Sequence, residues 1–350
     1  MSLIKYLKCY YILPALMSSS LLISSCTDNQ VDADLFKDKE LSVQSTDVKT
    51  DSVYMRYPFR IKKLGDKLLI SDLHGSEHYC YQFSYPQMQL QQAFAVRGQG
   101  PSEFLDLENI RFNSKGEAIT LDANKSMLTI FDTTNSQPSK QIKLDQDLIR
   151  TLDFDCLNDS SFIVPDYSGK NRLCIINNQG QIIDRLFSIP TRTEQNNQSK
   201  MALSQAWRSF IDYNPTNGIL AMASQLGHVL EIYNVHRKHI LKIVYGAHGE
   251  PKFIDKGAYA VPTGIMGYSD VQVGQNRIYA LFWGRSFNEI RNNTAVTEGG
   301  NMLEVFDLQG NPIRRYMLDK YITGFCIDEK DNTMFALDIN SNQYIVTYKL

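Results

Sequence analysis

The residues whose types and spacing best suit chemistry are Arg97-Gly98-Gln99-Gly100-Pro101-Ser102-Glu103-Phe104. The glycines permit positive φ and Pro101 stiffens the turn, so one short loop holds a cation (Arg97), an amide (Gln99) and an acid (Glu103). Such a loop either offers these groups to a ligand or uses Arg97 and Glu103 as an ion pair that pins it to its neighbour. It is not a phosphate loop, because no Lys-Ser or Lys-Thr follows the glycines and no helix pattern opens there. A weaker echo, Gly246-Ala247-His248-Gly249-Glu250-Pro251-Lys252-Phe253, carries His248. Trp207-Arg208 and Trp283-Gly284-Arg285 each set an indole beside a guanidinium, which suits a sugar or another planar or anionic ligand. The alternative is that each Trp only packs.

Asp72, Asp122, Asp166 and Asp338 each close an apolar run. Four carboxylates on one face would suit a cation, but an acid after a strand also caps its own turn. His74 with His78, and His236 with His239, lack a third ligand, so they read as loop histidines and no metal is expected. There is no G-x-S-x-G and no H-E-x-x-H, and no cofactor is expected.

These residues sit on a chain of 350, 43% hydrophobic and 21% charged, which is ordinary for a folded protein. A formal charge of -2 leaves no cationic excess to neutralise phosphates, which argues against a nucleic-acid partner. Residues 1–25 read as a targeting leader: Lys5 and Lys8 precede an apolar run from Tyr10 to Ile23, which is short for a membrane span. Ile23-Ser24-Ser25-Cys26 resembles a bacterial lipobox, which implies cleavage before Cys26 and acylation of that residue as a membrane anchor. Residues 26–39 are then the lipidated Cys and a tether, and 40–350 the folded domain. Of the remaining cysteines, Cys80, Cys156, Cys174 and Cys326 have no C-x-x-C spacing and read as free and buried.

The elements that position the candidates are short strands in recurring groups of four. Glu108–Asn113, Ala118–Asp122, Met127–Asp132 and Gln141–Leu144 form one such group, with a Gly turn at Asn113–Gly116. Second strands recur at Leu69–Asp72, Ile163–Asp166, Ile219–Met222, Ile278–Leu281 and Phe335–Asp338, which makes six units. The last unit has only three strands before Leu350, while Glu40-Leu41-Ser42-Val43-Gln44 waits unplaced at the other end. Pairing the two would remove the open edges, so the expected fold is all-β, a six-bladed β-propeller closed by an N-terminal strand. The long segments Thr191–Ala206, Gly246–Pro262 and Gly284–Gly300 fall on one face of such a disc, which is the expected binding face.

With the lipobox and the six units, the G-x-G-P-x-E-F segment resembles the TolB-like six-bladed β-propeller lipoproteins of the Bacteroides type. The resemblance implies the fold and an envelope location, anchored by lipid in the outer membrane, and carries over no catalytic residue. The expected role is non-catalytic binding of a glycan, peptide or protein partner through the long-looped face. Two alternatives stay open: a metal-dependent lactonase or lyase of six-bladed type, and a scaffold in an envelope complex.

Overall fold

Leu68-Leu69-Ile70, Ile119-Thr120-Leu121 and Ile219-Leu220-Ala221-Met222 are runs without alternation, and each is buried along its whole length. A strand of this kind needs cover on both faces, and neighbouring sheets supply it. The computed structural model describes residues 34–50, 53–134, 137–193, 198–257, 259–292 and 297–350. Within them, six antiparallel sheets stand as blades in a ring. The inner strands are Pro58–Leu64, Asn109–Phe112, Asp155–Asn158, Ser209–Asn214, Tyr268–Val273 and Phe325–Asp328. Apolar clusters fill the spaces between blades. The one that joins Ile61, Ile70 and Phe83 of blade one to Phe335, Leu337 and Ile345 of blade six shows that the ring is closed. The four cysteines after Cys26 are free, with Cys156 only half-buried.

Closure itself departs from expectation. Glu40–Val43 does not complete blade six; it runs parallel to the outer strand of blade five, Pro312–Ile322, from Glu40 opposite Arg315 to Val43 opposite Leu318. The chain then steps across, and Thr46–Asp47 pairs antiparallel with Ile345–Lys349 as the fourth strand of blade six. The Val48 N–H extends that pairing to the Ile345 carbonyl at 2.9 Å. Alternation marked Glu40–Val43 as a strand but did not choose its partner; Arg315 did, by drawing in Asp34 and Glu40 at 2.9 Å each.

The end of the segment read as tether is therefore part of the domain. Phe36 is buried between blades four and five, its ring 5.2 Å from that of Phe306, with the Arg315 guanidinium 4.8 Å above it. Asp32–Leu350 forms one compact unit that contains all of the inter-blade clusters. Cys26, the leader before it and the tether up to residue 33 lie outside the described residues.

Removing the Phe36 ring leaves a cavity between two blades, so Phe36→Ala is expected to cost about 3 kcal/mol, seen as a lower midpoint in urea unfolding. Leu41→Ala, at a side chain that faces solvent, is expected to change the midpoint by less than about 0.5 kcal/mol. Equal midpoints for the two variants would show that the segment is not part of the folded unit.

Candidate functional site

The three long segments gather on one face, as expected, and each folds into an element of its own. The link from blade three to blade four carries helix α1 (Lys200–Ala206), whose first turn is capped by Ser199 through the Ala202 N–H. The link from blade four to blade five carries a hairpin, Phe253–Asp255 paired with Ala260–Pro262. Asp255 joins the two by accepting the Ser199 N–H at 2.6 Å. Between the second and third strands of blade five lies helix α2 (Phe287–Asn292), opened by a reciprocal cap: Ser286 N–H to Glu289 Oε2 at 2.7 Å, and Glu289 N–H to Ser286 Oγ at 3.1 Å. Isolated bridges tie the end of the blade four to blade five link to its neighbours: Met266 to Leu226 in blade four's own turn, and Ile265 to Ser286 ahead of α2.

Between α1 and the hairpin link lies a cavity of about 210 Å³. Leu203, Trp207 and Phe253 make its apolar side, while Gln198, Glu250, Lys252 and Thr263 bring polar groups to it. Glu250 holds the wall in place, accepting from Thr191 Oγ1 at 2.7 Å and from the Arg192 N–H at 2.5 Å. Gln198 Oε1 is buried there without a hydrogen-bond partner among the described residues, an acceptor left for a ligand or water. A larger cavity, about 270 Å³, opens on the opposite face over Ile119, Cys156 and Phe162. Its walls are the blades' own strands and tight turns, whereas the first is built from insertions that the ring itself does not need.

The sharpest sequence motif turns out to be a structural clamp. Glu103 folds back to accept the Gly100 N–H at 2.7 Å, and a Cβ on Gly98 would lie 1.9 Å from Glu103 Oε2. Arg97 does not pair with Glu103; it donates to the Gly75 carbonyl at 3.0 Å within its own blade. Lys125 of blade two pins the loop instead, donating to the carbonyls of Gly100 and Glu103 at 2.9 and 2.5 Å. Phe104 is buried against Phe94 and Phe131, and Gln99 is exposed. In the echo, Glu250 replaces this self-cap with its reach to Thr191, and His248 stands exposed 6.0 Å from the Phe282 ring.

The other candidates divide. Trp207 is buried beneath the cavity, so it packs rather than offering a face for stacking. Trp283 is half-buried with its indole N–H unpartnered among the described residues, as is Arg208 Nε. Arg285 donates to the Tyr321 hydroxyl at 3.1 Å. Trp207, His248 and Trp283 belong to the sector of blades four and five, whereas Arg97, Gln99 and Glu103 stand in the link between blades one and two. The acids after the second strands cap main chain: Asp72 takes the N–H groups of Arg56 and Tyr57 at 2.7 Å, and Asp122 takes that of Leu105 at 2.8 Å. Among the described residues no three His, Cys, Asp or Glu side chains are grouped to hold a metal.

Sequence reasoning missed the axis of the ring. Arg60, Lys62 and Arg111, from blades one and two, meet Asp153, Asp155, Asp212 and Asp270 of blades three, four and five. Arg60 lies 3.6 Å from Asp270, Lys62 3.2 Å from Asp212, and Arg111 3.3 and 3.4 Å from Asp153 and Asp155. The acids also accept the N–H groups of the next blade's inner strand: Asp153 from Ile211, Asp155 from Tyr213, Asp212 from Val273 and Asp270 from Phe325, at 2.8 to 3.0 Å. Phe59 and Phe210 cover the Arg60 guanidinium at 3.7 and 4.3 Å. The visible signal was an acid inside a strand pattern, as in Ile211-Asp212-Tyr213 and Ser269-Asp270-Val271.

The model of the family described as TolB-like 6-blade propeller-like matches residues 35–330. Several solved structures share the fold. A protein from Bacteroides fragilis described as exported superposes with a TM-score of 0.51 at 11% identity, over 88% of this chain and 94% of its own. A member of the DUF4221 family from Bacteroides vulgatus gives 0.53 at 11% identity, over 88% and 97%. The β-propeller domain of Cps50 (Swd1) from Myceliophteria thermophila gives 0.51 at 10% identity, over 87% and 99%. Likeness at that identity speaks for the fold alone. A search of curated proteins found no match.

The belt at the axis predicts a pH dependence. Burial pushes Asp155 up to about 7, with Arg111 opposing and Asp212 adding to the rise. The folded state therefore binds a proton here that an unfolded Asp, at about 3.9, does not, so this group's stabilisation is full below about pH 4 and is lost as pH rises through 7. Asp155→Asn keeps an acceptor for Tyr213 and removes the titration. The stability difference between pH 5 and pH 8 is expected to shrink by a few kcal/mol at most in the variant, as read from urea unfolding at each pH. An unchanged difference would refute this assignment.

Proposed function

Because the chain belongs to the TolB-like six-bladed propeller family, we propose that it is an exported, lipid-anchored binding protein that takes a glycan, a peptide or a protein segment on its long-looped face. Export and anchoring draw on Lys5, Lys8, the apolar run to Ile23 and the small residues before Cys26. The observation that carries the binding reading is the pairing of a sealed axis with a built wall. A belt of buried ion pairs occupies the channel, and the insertions that stand free of the ring's own needs enclose the cavity at Trp207 and Phe253. A space of about 210 Å³ admits one sugar ring or one amino-acid side chain, so it serves as the anchoring pocket of a longer ligand lying across the face.

The catalytic alternative has one observation behind it. Glu108, at the top of blade two's inner strand, is pushed up to about 7 by burial and then by Asp106 beside it, with Arg150 opposing. A carboxyl group poised near neutrality is suited to acid–base work. Glu108→Gln separates the readings, because binding in the cavity across the face is expected to survive that change, whereas turnover is not.

Two measurements test the proposal. Cys26→Ala is expected to move the protein from the membrane fraction to the soluble fraction and to abolish incorporation of labelled fatty acid; retention in the membrane would end the anchoring part. In glycan and peptide array screening of the leaderless chain, a ligand is expected whose affinity falls about tenfold or more in Thr263→Trp, which fills the cavity from an exposed position. A ligand that binds Thr263→Trp as well as the native chain would place recognition elsewhere.

A further inference from the structure

The hairpin that walls the cavity has an outer face as apolar as its inner one. Phe253 and Ala260 turn inward against Leu203, Ala206 and Trp207. Ile254 and Val261 are directly opposite partners on the other side, where they are 50% and 36% exposed, and Tyr259 beside them is 56% exposed. A two-stranded sheet with apolar side chains on both faces has one face without cover.

The exposed charged side chains of the hairpin and its stem are lysines, while the two nearby carboxylates are less exposed and are held by neutral donors. Asp255 is engaged by the N–H groups of Ser199 and Gly257 at 2.6 Å each, and Glu250 by Thr191 and the Arg192 N–H. Lys252 and Lys256 are exposed and have no ion-pair partner among the described residues. Aliphatic side chains and a tyrosine at the tip, flanked by lysines, match the boundary of a lipid bilayer, where apolar groups sit among acyl chains and cations among phosphates.

Position agrees with chemistry. The hairpin springs from the link between blades four and five, and Asp34 is bonded to Arg315 of blade five. Eight residue steps separate Asp34 from Cys26, a reach of at most about 28 Å when fully extended. A lipid on Cys26, as proposed above, would limit how far Asp34 can stand from the membrane.

We propose that the Phe253–Pro262 hairpin is a membrane-docking element, with Ile254, Tyr259 and Val261 entering the interface and Lys252 and Lys256 meeting anionic headgroups. The sector that faces the membrane rests on the anchoring proposed above; the affinity of the hairpin for lipid does not. Docking would fix the orientation of the ring, so that the cavity opens along the membrane surface rather than away from it.

The test uses the chain from Asp32 onward, without leader or lipid, sedimented with vesicles of phosphatidylcholine alone or mixed with phosphatidylglycerol. Binding to the mixed vesicles is expected to be about tenfold tighter than to the neutral ones and to weaken as salt rises. Ile254→Ser, Tyr259→Ser and Val261→Ser together are expected to weaken binding about tenfold or more with an unchanged melting temperature, since all three side chains face solvent. Lys256→Glu is expected to reduce the preference for anionic vesicles. Three results would overturn the proposal: no binding of the native sequence to either vesicle, a triple variant that binds as well as the native one, or a dimer in sedimentation velocity that the triple variant abolishes. The last would assign the patch to a second copy. Failed acylation of Cys26 would leave vesicle binding standing, and failed vesicle binding would leave the anchor standing, so the two readings fall separately.

Discussion

The rest of the molecule depends on the charged belt at its axis. Cations from blades one and two meet acids from blades three, four and five, so the two halves of the ring are electrostatic complements. Arg60 and Lys62 reach across the axis to Asp270 and Asp212, contacts that exist only when the ring is shut. Buried ion pairs of this kind add little net stability against apolar replacements, because desolvation offsets the attraction. Their value is in specificity. The same acids receive the main-chain N–H groups of the next inner strand, so a blade placed one position out would leave charges and amides unpaired in the interior.

A ring held this way needs its ends joined, and the chain does so with two consecutive strands rather than one. Glu40–Val43 thickens blade five and Thr46–Asp47 completes blade six, so the closing segment spans the seam between those blades. Arg315 is the fulcrum, bonded to Glu304 within its blade and to Asp34 and Glu40 of the incoming segment. His228 and Tyr268 meet Glu304 from the other side, at 3.1 and 2.8 Å. That buried carboxylate is held below its usual range because these partners and Arg315 together outweigh the cost of its burial.

The belt fills the axis, and the long insertions lie on one face of the ring. On the reading proposed above, the ligand's place is the cavity that the insertions build, and their caps explain why they hold shape without a blade behind them. Ser199 closes the start of α1, Asp255 ties the hairpin to it, and Ser286 with Glu289 closes the start of α2. The G-x-G-P-x-E-F segment, by contrast, spends its polar groups on itself and on Lys125. Its glycines leave room for the close approach of Glu103.

The number of blades, the place of every second strand and the division into a tight-turned and a long-looped face were legible in the sequence. Each is written in contiguous residues, as apolar runs near Leu69, Ile119 and Ile219 and as Gly turns between them, and a strand's period and its turns are local properties. The partner of Glu40–Val43, the hydrogen-bond partners of Arg97 and Glu103, and the belt at the axis were decided only by the closed ring. Lys62 meets Asp212, and Asp34 meets Arg315, across separations in sequence that no local pattern encodes. Whether a charged side chain in a strand points to solvent or to an opposite charge depends on what the fold brings to face it, and the fold exists only once all six blades have come together.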